Sequence, residues 1–173
     1  MGKVAVLGTG PSIELFGKTD IEFDATIGVN DIWKYFETDV IVCVDKRKAF
    51  TPDRLRIIDS SKPKAFYSQI VSDWDTRPDF IKINIQAGYP DHTVVLDRNA
   101  MAKSYFSPFV AIQIAYWYYD TDEIHLYGVD MDRHPNLDRE LCKGIKKHFK
   151  NVCTALEISG CRLIVHGDGI LTK

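Results

Sequence analysis

Short unbroken apolar runs constrain this chain more than any other feature. They are "KVAVL" at Lys3–Leu7, "ATIGV" at Ala25–Val29, "VIVCV" at Val40–Val44, "EIHLY" at Glu123–Tyr127 and "RLIV" at Arg162–Val165. Unbroken runs such as "VIVCV" read as strands covered on both faces, which is the habit of parallel sheets. Ala65–Tyr67, Ile81–Ile85 and Thr93–Leu96 are weaker strand candidates. Between the runs lie helical patterns. Ser107–Tyr119 is apolar nearly all round, so a buried helix is expected there. Asn136–Ser159 places Leu137, Leu141, Ile145, Phe149, Val152 and Leu156 at three- and four-residue spacing, and Gly160 follows as a C-cap. Lys143, Lys146, Lys147 and Lys150 decorate this helix, with His148 expected to face solvent. Strand–helix alternation predicts one Rossmann-like three-layer α/β sandwich over residues 1–173, with a mostly parallel sheet. The stretch 68–106 holds Pro78, Gly88, Pro90 and the loop "QAGYPDH", and is a candidate lid.

Length and charge narrow the function classes. A chain of 173 residues fits one domain. A net charge of -2 argues against tight nonspecific nucleic-acid binding, which needs clustered positive charge. No apolar run approaches the roughly 18 residues of a membrane span. Cys43, Cys142, Cys153 and Cys161 form no C-x-x-C pair, so zinc is not expected, and Cys43 reads as a small core hydrophobe. A reducing cytoplasm is the default expectation. Trp117, Tyr118 and Tyr119 are read as core, with an oligomer face as the alternative.

In open α/β sheets, ligands sit beyond the carboxyl ends of the strands. Here those positions are Gly8–Ser12, Asn30-Asp31, Asp45-Lys46, Gly128–Asp132 and His166–Gly169. Gly8 and Gly10 permit close backbone approach. Pro11 and Ser12 follow, and Ser12 is a candidate cap for a helix whose N-terminus favours an anion. The loop is neither a Walker loop nor a full G-x-G-x-x-G, because Ile13 stands where the last glycine is due. Asn30 could hold a base, ribose or phosphate, or Asn30 or Asp31 could merely cap a helix. Asp45, beside Lys46, Arg47 and Lys48, could serve a metal, a ribose or an acceptor hydroxyl, or lie in a surface salt bridge. Asp130, Asp132 and His134 could supply acid–base chemistry or hold Mg²⁺. Asp130 could equally be a structural hydrogen bond that fixes loops. His125, inside a strand, reads as packed. His92 lies in the irregular middle, where a lid-borne acid or base could sit.

"VAVLGTGPSIE", "IGVND", "DVIVCVD" and "SPFVAIQIAYWYYDTDEIHLYGVDM" follow one another in an order that resembles two related families. One is the bacterial sialyltransferases with a single Rossmann-like nucleotide domain. The other is the pterin pyrophosphokinase-like proteins, which include motility-associated glycosyltransferases. The first resemblance implies a cytidine nucleotide bound by Gly8, Thr9, Gly10, Ser12 and Asn30, with Ser107 on the donor. Thr9 replaces the family's usual Asn. Asp132 stands where the family places a Tyr on the leaving phosphate, and a carboxylate there needs a bridging metal. His134 is near the place of the family's catalytic histidine. The second resemblance makes Asp45 functional and implies Mg²⁺ at Asp45, Asp130 and Asp132. The leading expectation is a glycosyltransferase using a nucleotide-sugar donor, with CMP-linked sugar first. The catalytic candidates are His134, Asp45 and Asp132. The nucleotide-binding candidates are Gly8, Thr9, Gly10, Pro11, Ser12, Asn30, Asp31, Ser107, Gly128 and Asp130. The alternatives are a magnesium-dependent pyrophosphokinase of a pterin-like alcohol and a noncatalytic nucleotide-binding module. An unidentified acceptor and a homo-oligomer complete the expected partners.

Overall fold

The computed structural model describes residues 2–86, 101–102, 106–131 and 139–172. The strands are β1 (Gly2–Leu7), β2 (Ala25–Val29), β3 (Val40–Val42), β4 (Ala65–Ser68), β5 (Phe80–Lys82), β6 (Ile85–Gln86), β7 (Met101–Ala102), β8 (Thr121–Tyr127) and β9 (Arg162–Val165). The α-helices are α1 (Pro52–Ser60), α2 (Val71–Trp74), α3 (Ser107–Tyr118) and α4 (Arg139–Ile158). Short 3₁₀ helices follow β1, β2 and β3, at Pro11–Lys18, Ile32–Lys34 and Arg47–Ala49. Seven strands form one sheet in the order β5-β4-β3-β2-β1-β8-β9, and β6 pairs with β7 apart from it. Every described strand pair is parallel.

The apolar runs explain the layers. Val40, Val42 and Val44 lie in the cluster that holds α3 and α4, while Ile41 and Cys43 lie in the opposite cluster with Phe50, Ile58 and Trp74. β1 divides in the same way, with Val4 and Val6 under α3 and Ala5 and Leu7 packed with Ile13, Ile32 and Tyr127. Both faces are therefore covered, and no polar alternation is needed. This is the expected three-layer, Rossmann-like architecture.

Local differences have local causes. β3 ends at Val42, but Cys43 N–H still donates to Tyr67 O at 2.9 Å, so the chain runs on in extended form. The expected strand Ile81–Ile85 is divided: Phe80–Lys82 joins the main sheet and Ile85–Gln86 the small one. The candidate lid stretch thus contributes α2 and then β5, an edge strand of the main sheet. Thr93–Leu96, most of "QAGYPDH" and His92 lie outside the described residues. Helix α1 had no counterpart among the expected elements, although Pro52 starts it and Leu55 and Ile58 mark its inner face.

Helix α4 buries Ile145, Val152 and Leu156, and Lys143, Lys146, Lys147 and Lys150 face out. His148 is buried rather than solvent-facing, with its ring 4.9 Å from that of Phe109. It lies three residues after Ile145 and four before Val152, so it belongs to the apolar stripe. Gly160 caps as expected, with φ +79° and Cys161 N–H donating to Leu156 O at 2.9 Å. The aromatic end of α3 emerges from the core instead of filling it: Tyr118 is 42% exposed and Trp117 and Tyr119 are half-buried. No helix among the described residues is long and apolar enough to cross a membrane.

Candidate functional site

β1 lies between β2 and β8, and the direction of strand addition reverses there. The crevice beyond such a reversal is the usual ligand position in open α/β sheets. The loops leaving β1 and β8 meet at this point and are stitched together. Gly8 N–H donates to Tyr127 O and Gly10 N–H to Gly128 O, each at 2.8 Å. The contact needs glycine on both sides. A Cβ on Gly8 would lie 2.3 Å from Gly128 O, and one on Gly128 would lie 2.2 Å from Gly8 O.

A buried carboxylate completes the seam. Asp130 Oδ2 accepts Ser12 N–H at 3.0 Å and Ser12 Oγ–H at 2.9 Å, while Ser12 Oγ accepts Gly128 N–H at 2.9 Å. The chain's own anion therefore sits at the start of the Pro11–Lys18 helix, where helix geometry favours negative charge. Ser12 is not the cap: Gly10 holds that position, with no side-chain cap bond. The C-terminal loop closes against the seam. Ile170 N–H donates to Asp130 O at 2.8 Å, and a Cβ on Gly167 would lie 2.3 Å from Ser12 Cβ. Gly8, Gly10 and Ser12 thus direct their N–H groups inward, Pro11 has none, and Thr9 stands exposed at the tip.

The carboxyl end of β2 is built differently. Asn30 adopts φ +53°, a conformation that Asn tolerates better than most residues, and its N–H donates to Val42 O at 3.1 Å. Ser107, buried at the start of α3, donates its Oγ–H to Asn30 Oδ1 at 3.3 Å. Two residues 77 positions apart in the chain thus meet. Asp31 is 7% exposed and accepts Arg54 Nε–H at 3.0 Å and Nη2–H at 2.6 Å on one oxygen. Its side chain makes no cap bond to the next helix. Arg54 also lies over the Phe50 ring, 4.8 Å from its centroid. It was absent from the sequence candidates because it belongs to α1.

Asp45 lies three residues beyond β3 and is half-buried, and its carbonyl accepts Trp74 Nε1–H at 3.4 Å. Burial, then the charge of Asp45, push the Cys43 thiol far above its ordinary range, so Cys43 is an inert core residue. Arg47 forms a bidentate pair with Asp59 at 2.7 and 2.5 Å and covers Trp74. Lys46 and Lys48 are exposed beside it. Asp132 and His134 lie outside the described residues. Among the described residues, no group of three or more His, Cys, Asp or Glu side chains is gathered as a metal site.

His125 is packed inside β8, as expected, but it is also hydrogen-bonded. Its Nδ1 lies 2.9 Å from His166 Nε2 and its Nε2 lies 3.3 Å from Glu123 Oε2. His166 stacks on Tyr127 with ring centroids 4.1 Å apart and an interplanar angle of 3°. Alternation within "EIHLY" puts Glu123, His125 and Tyr127 on one face, a signal that was available. The pairing with His166 needs the β8–β9 register.

Neither a protein-family model nor a curated protein matches the sequence. The fold is similar to that of the sialyltransferase CstII from Campylobacter jejuni, solved in complex with a substrate analogue, CMP-3FNeuAc. The TM-score is 0.52 and the sequence identity 16%, over 96% of this chain and 80% of that one. At that identity the likeness establishes a sialyltransferase-like α/β fold.

Proposed function

We propose that this chain is a glycosyltransferase that uses a nucleotide-activated, CMP-linked sugar donor. The observation that carries the reading is the meeting of Asn30 and Ser107 at the carboxyl end of β2. The likeness to a fold solved with a CMP-sugar analogue supports it. In this reading the Asn30 amide and Ser107 hydroxyl hold the nucleoside. Thr9, at the exposed loop tip, reaches the phosphate. Gly8, Gly10, Pro11, Ser12, Gly128 and Asp130 hold that tip in place, and Asp31 with Arg54 fixes the turn after Asn30.

Transfer is a direct displacement. An acceptor oxygen bonds to the anomeric carbon as the bond from that carbon to the phosphate oxygen breaks. The nucleoside monophosphate leaves with the electron pair. Asp45 or His134 takes the acceptor proton, and the ammonium of Lys46 offsets the developing phosphate charge. A divalent cation, were one held by Asp132, would offset charge in the transfer step, and CMP binding itself does not draw on it. Magnesium-dependent pyrophosphoryl transfer would gather Asp45, Asp130 and Asp132 around metal. The engagement of Asp130 Oδ2 with Ser12 favours glycosyl transfer instead.

The test is a thermal-shift panel of CMP, CDP, UDP, GDP, ADP and ATP, each with and without Mg²⁺. A ligand that binds only the native state raises the midpoint by mass action. CMP is expected to raise it without metal, and Asn30→Ala to remove the rise. A shift confined to ATP with Mg²⁺, or a CMP shift that survives Asn30→Ala, overturns the reading.

A further inference from the structure

Glu123, His125 and His166 form a chain in which the hydrogen positions follow from valence. Neutral imidazole has one N–H and one bare nitrogen, and an ionised carboxylate only accepts. The His125 N–H holds Glu123 below the usual carboxylate range, and Arg162 and Lys3 add to this. His125 Nε2 therefore carries the hydrogen that faces Glu123 at 3.3 Å. His125 Nδ1 is then bare, and His166 Nε2 carries the hydrogen that joins the rings at 2.9 Å. His166 Nδ1 is left bare on a half-buried ring.

This arrangement accepts one extra proton and refuses a second. The first adds to His166 Nδ1, and the bond between the rings survives. The second would have to enter at His125 Nδ1, where it meets the N–H of His166. Two donors then face each other at 2.9 Å and the rings must part. Every element around the pair bears on this. β8 presents Glu123 and Tyr127, β1 presents Lys3 against Glu123 at 3.7 Å, and β9 presents Arg162 against the same carboxylate. Phe23 meets His125 edge-on, and Thr19 accepts the Tyr127 hydroxyl at 3.4 Å. Glu123 balances at most one added charge, and both its cations oppose the second.

His166 is tied to the loop seam through its neighbour. Gly167 has φ +108° and its Cα abuts Ser12, and two residues further on Gly169 abuts the Asp130 backbone. His166 N–H donates to Leu126 O at 2.9 Å, so the ring and the strap are joined through one short segment that leaves β9 beside β8.

We propose that the His125–His166 pair is a proton-counting lock, and that its second protonation releases the Gly8–Ser12 loop. The regulated loop is the nucleotide loop if the function above holds, but the lock is read without nucleotide.

The test is ¹⁵N NMR of the full chain from pH 8 to pH 4, following both imidazoles and the amides of Gly10, Ser12 and Gly128. The expected result is two imidazole steps. The loop amides stay still in the first and shift in the second, at the same midpoint, and Ser12 amide exchange accelerates by about tenfold or more beyond its intrinsic pH dependence. His166→Phe keeps a ring on Tyr127 and removes the proton, so the coupled shift should vanish. Loop amides that ignore both steps overturn the lock, as does an unchanged loop shift in His166→Phe. If that variant fails to fold, the coincidence of midpoints in the unmodified chain decides. CMP binding measured at pH 8 tests the functional reading separately, since its absence leaves the amide result standing.

Discussion

Two stretches of the sheet's carboxyl edge carry most of the sequence candidates, and they are built in opposite ways. Beyond β1 and β8, the backbone amides are turned inward and the glycines let two loops touch. Beyond β2, the side chains of Asn30 and Ser107 meet. The first stretch has the features expected of a phosphate loop, yet the N–H groups of Gly8, Gly10 and Ser12 are bonded within the protein. The second has an unremarkable motif, and it is the place the proposed function assigns to the nucleoside. A glycine-rich loop after a strand therefore reports close backbone approach, to another loop as readily as to a phosphate.

The comparison breaks most sharply at the glycines. Gly128→Ala places a methyl carbon 2.2 Å from Gly8 O, far inside van der Waals contact, and also strains a φ of +66°. The expected loss is about 3 kcal/mol or more, read by urea denaturation. Gly144 has nothing within 4 Å of an added Cβ, so Gly144→Ala should be neutral or slightly stabilising. Equal effects at both positions would mean that the seam is not a tight contact.

Asp130→Ala comes next. It leaves Ser12 N–H and Oγ without their acceptor in a buried place, for a loss of about 2–3 kcal/mol. If Asp130 instead served a ligand, removal would leave stability nearly unchanged and weaken binding alone. Asn30 should lie nearer that second pattern. Asn30→Gly leaves the buried Ser107 hydroxyl without its acceptor but relieves the φ of +53°, so the stability loss should stay at about 1 kcal/mol, below that of Asp130→Ala, as CMP affinity falls about tenfold. An affinity loss in Asn30→Ala that Asn30→Gly does not share would trace to backbone strain.

The fold was legible because it depends on local pattern. "VIVCV" declares both of its faces buried whatever the rest of the chain does. The site was legible only in part. Asn30 is a candidate from its place at a strand end and Ser107 from the family resemblance, but their contact depends on how α3 crosses the sheet. Asp130 was seen as either ligand or loop anchor, and only the position of Ser12 separates the two. Arg54 was missed with its helix, whose Leu55 and Ile58 spacing is too brief to stand out. His148 was misread because a polar type outweighed its position on the stripe.

The smallest expected effect concerns pH. Burial, and then the neighbouring His125, hold His166 below the ordinary histidine value of 6.5. The unfolded chain therefore binds more protons than the folded one in the window just below that value. Stability should be full above pH 6.5 and should decline as pH falls toward the folded value. The ring is half-exposed, so solvent screening limits the decline to no more than about 1 kcal/mol. Denaturation at pH 7.5 and pH 5.5 measures it, with His166→Phe as the reference that lacks the group. Among the described residues the edge beyond β2 contains no such histidine, so the decline should be the same in Asn30→Gly as in the unmodified chain. A decline that persists in His166→Phe would show that His166 is not its origin.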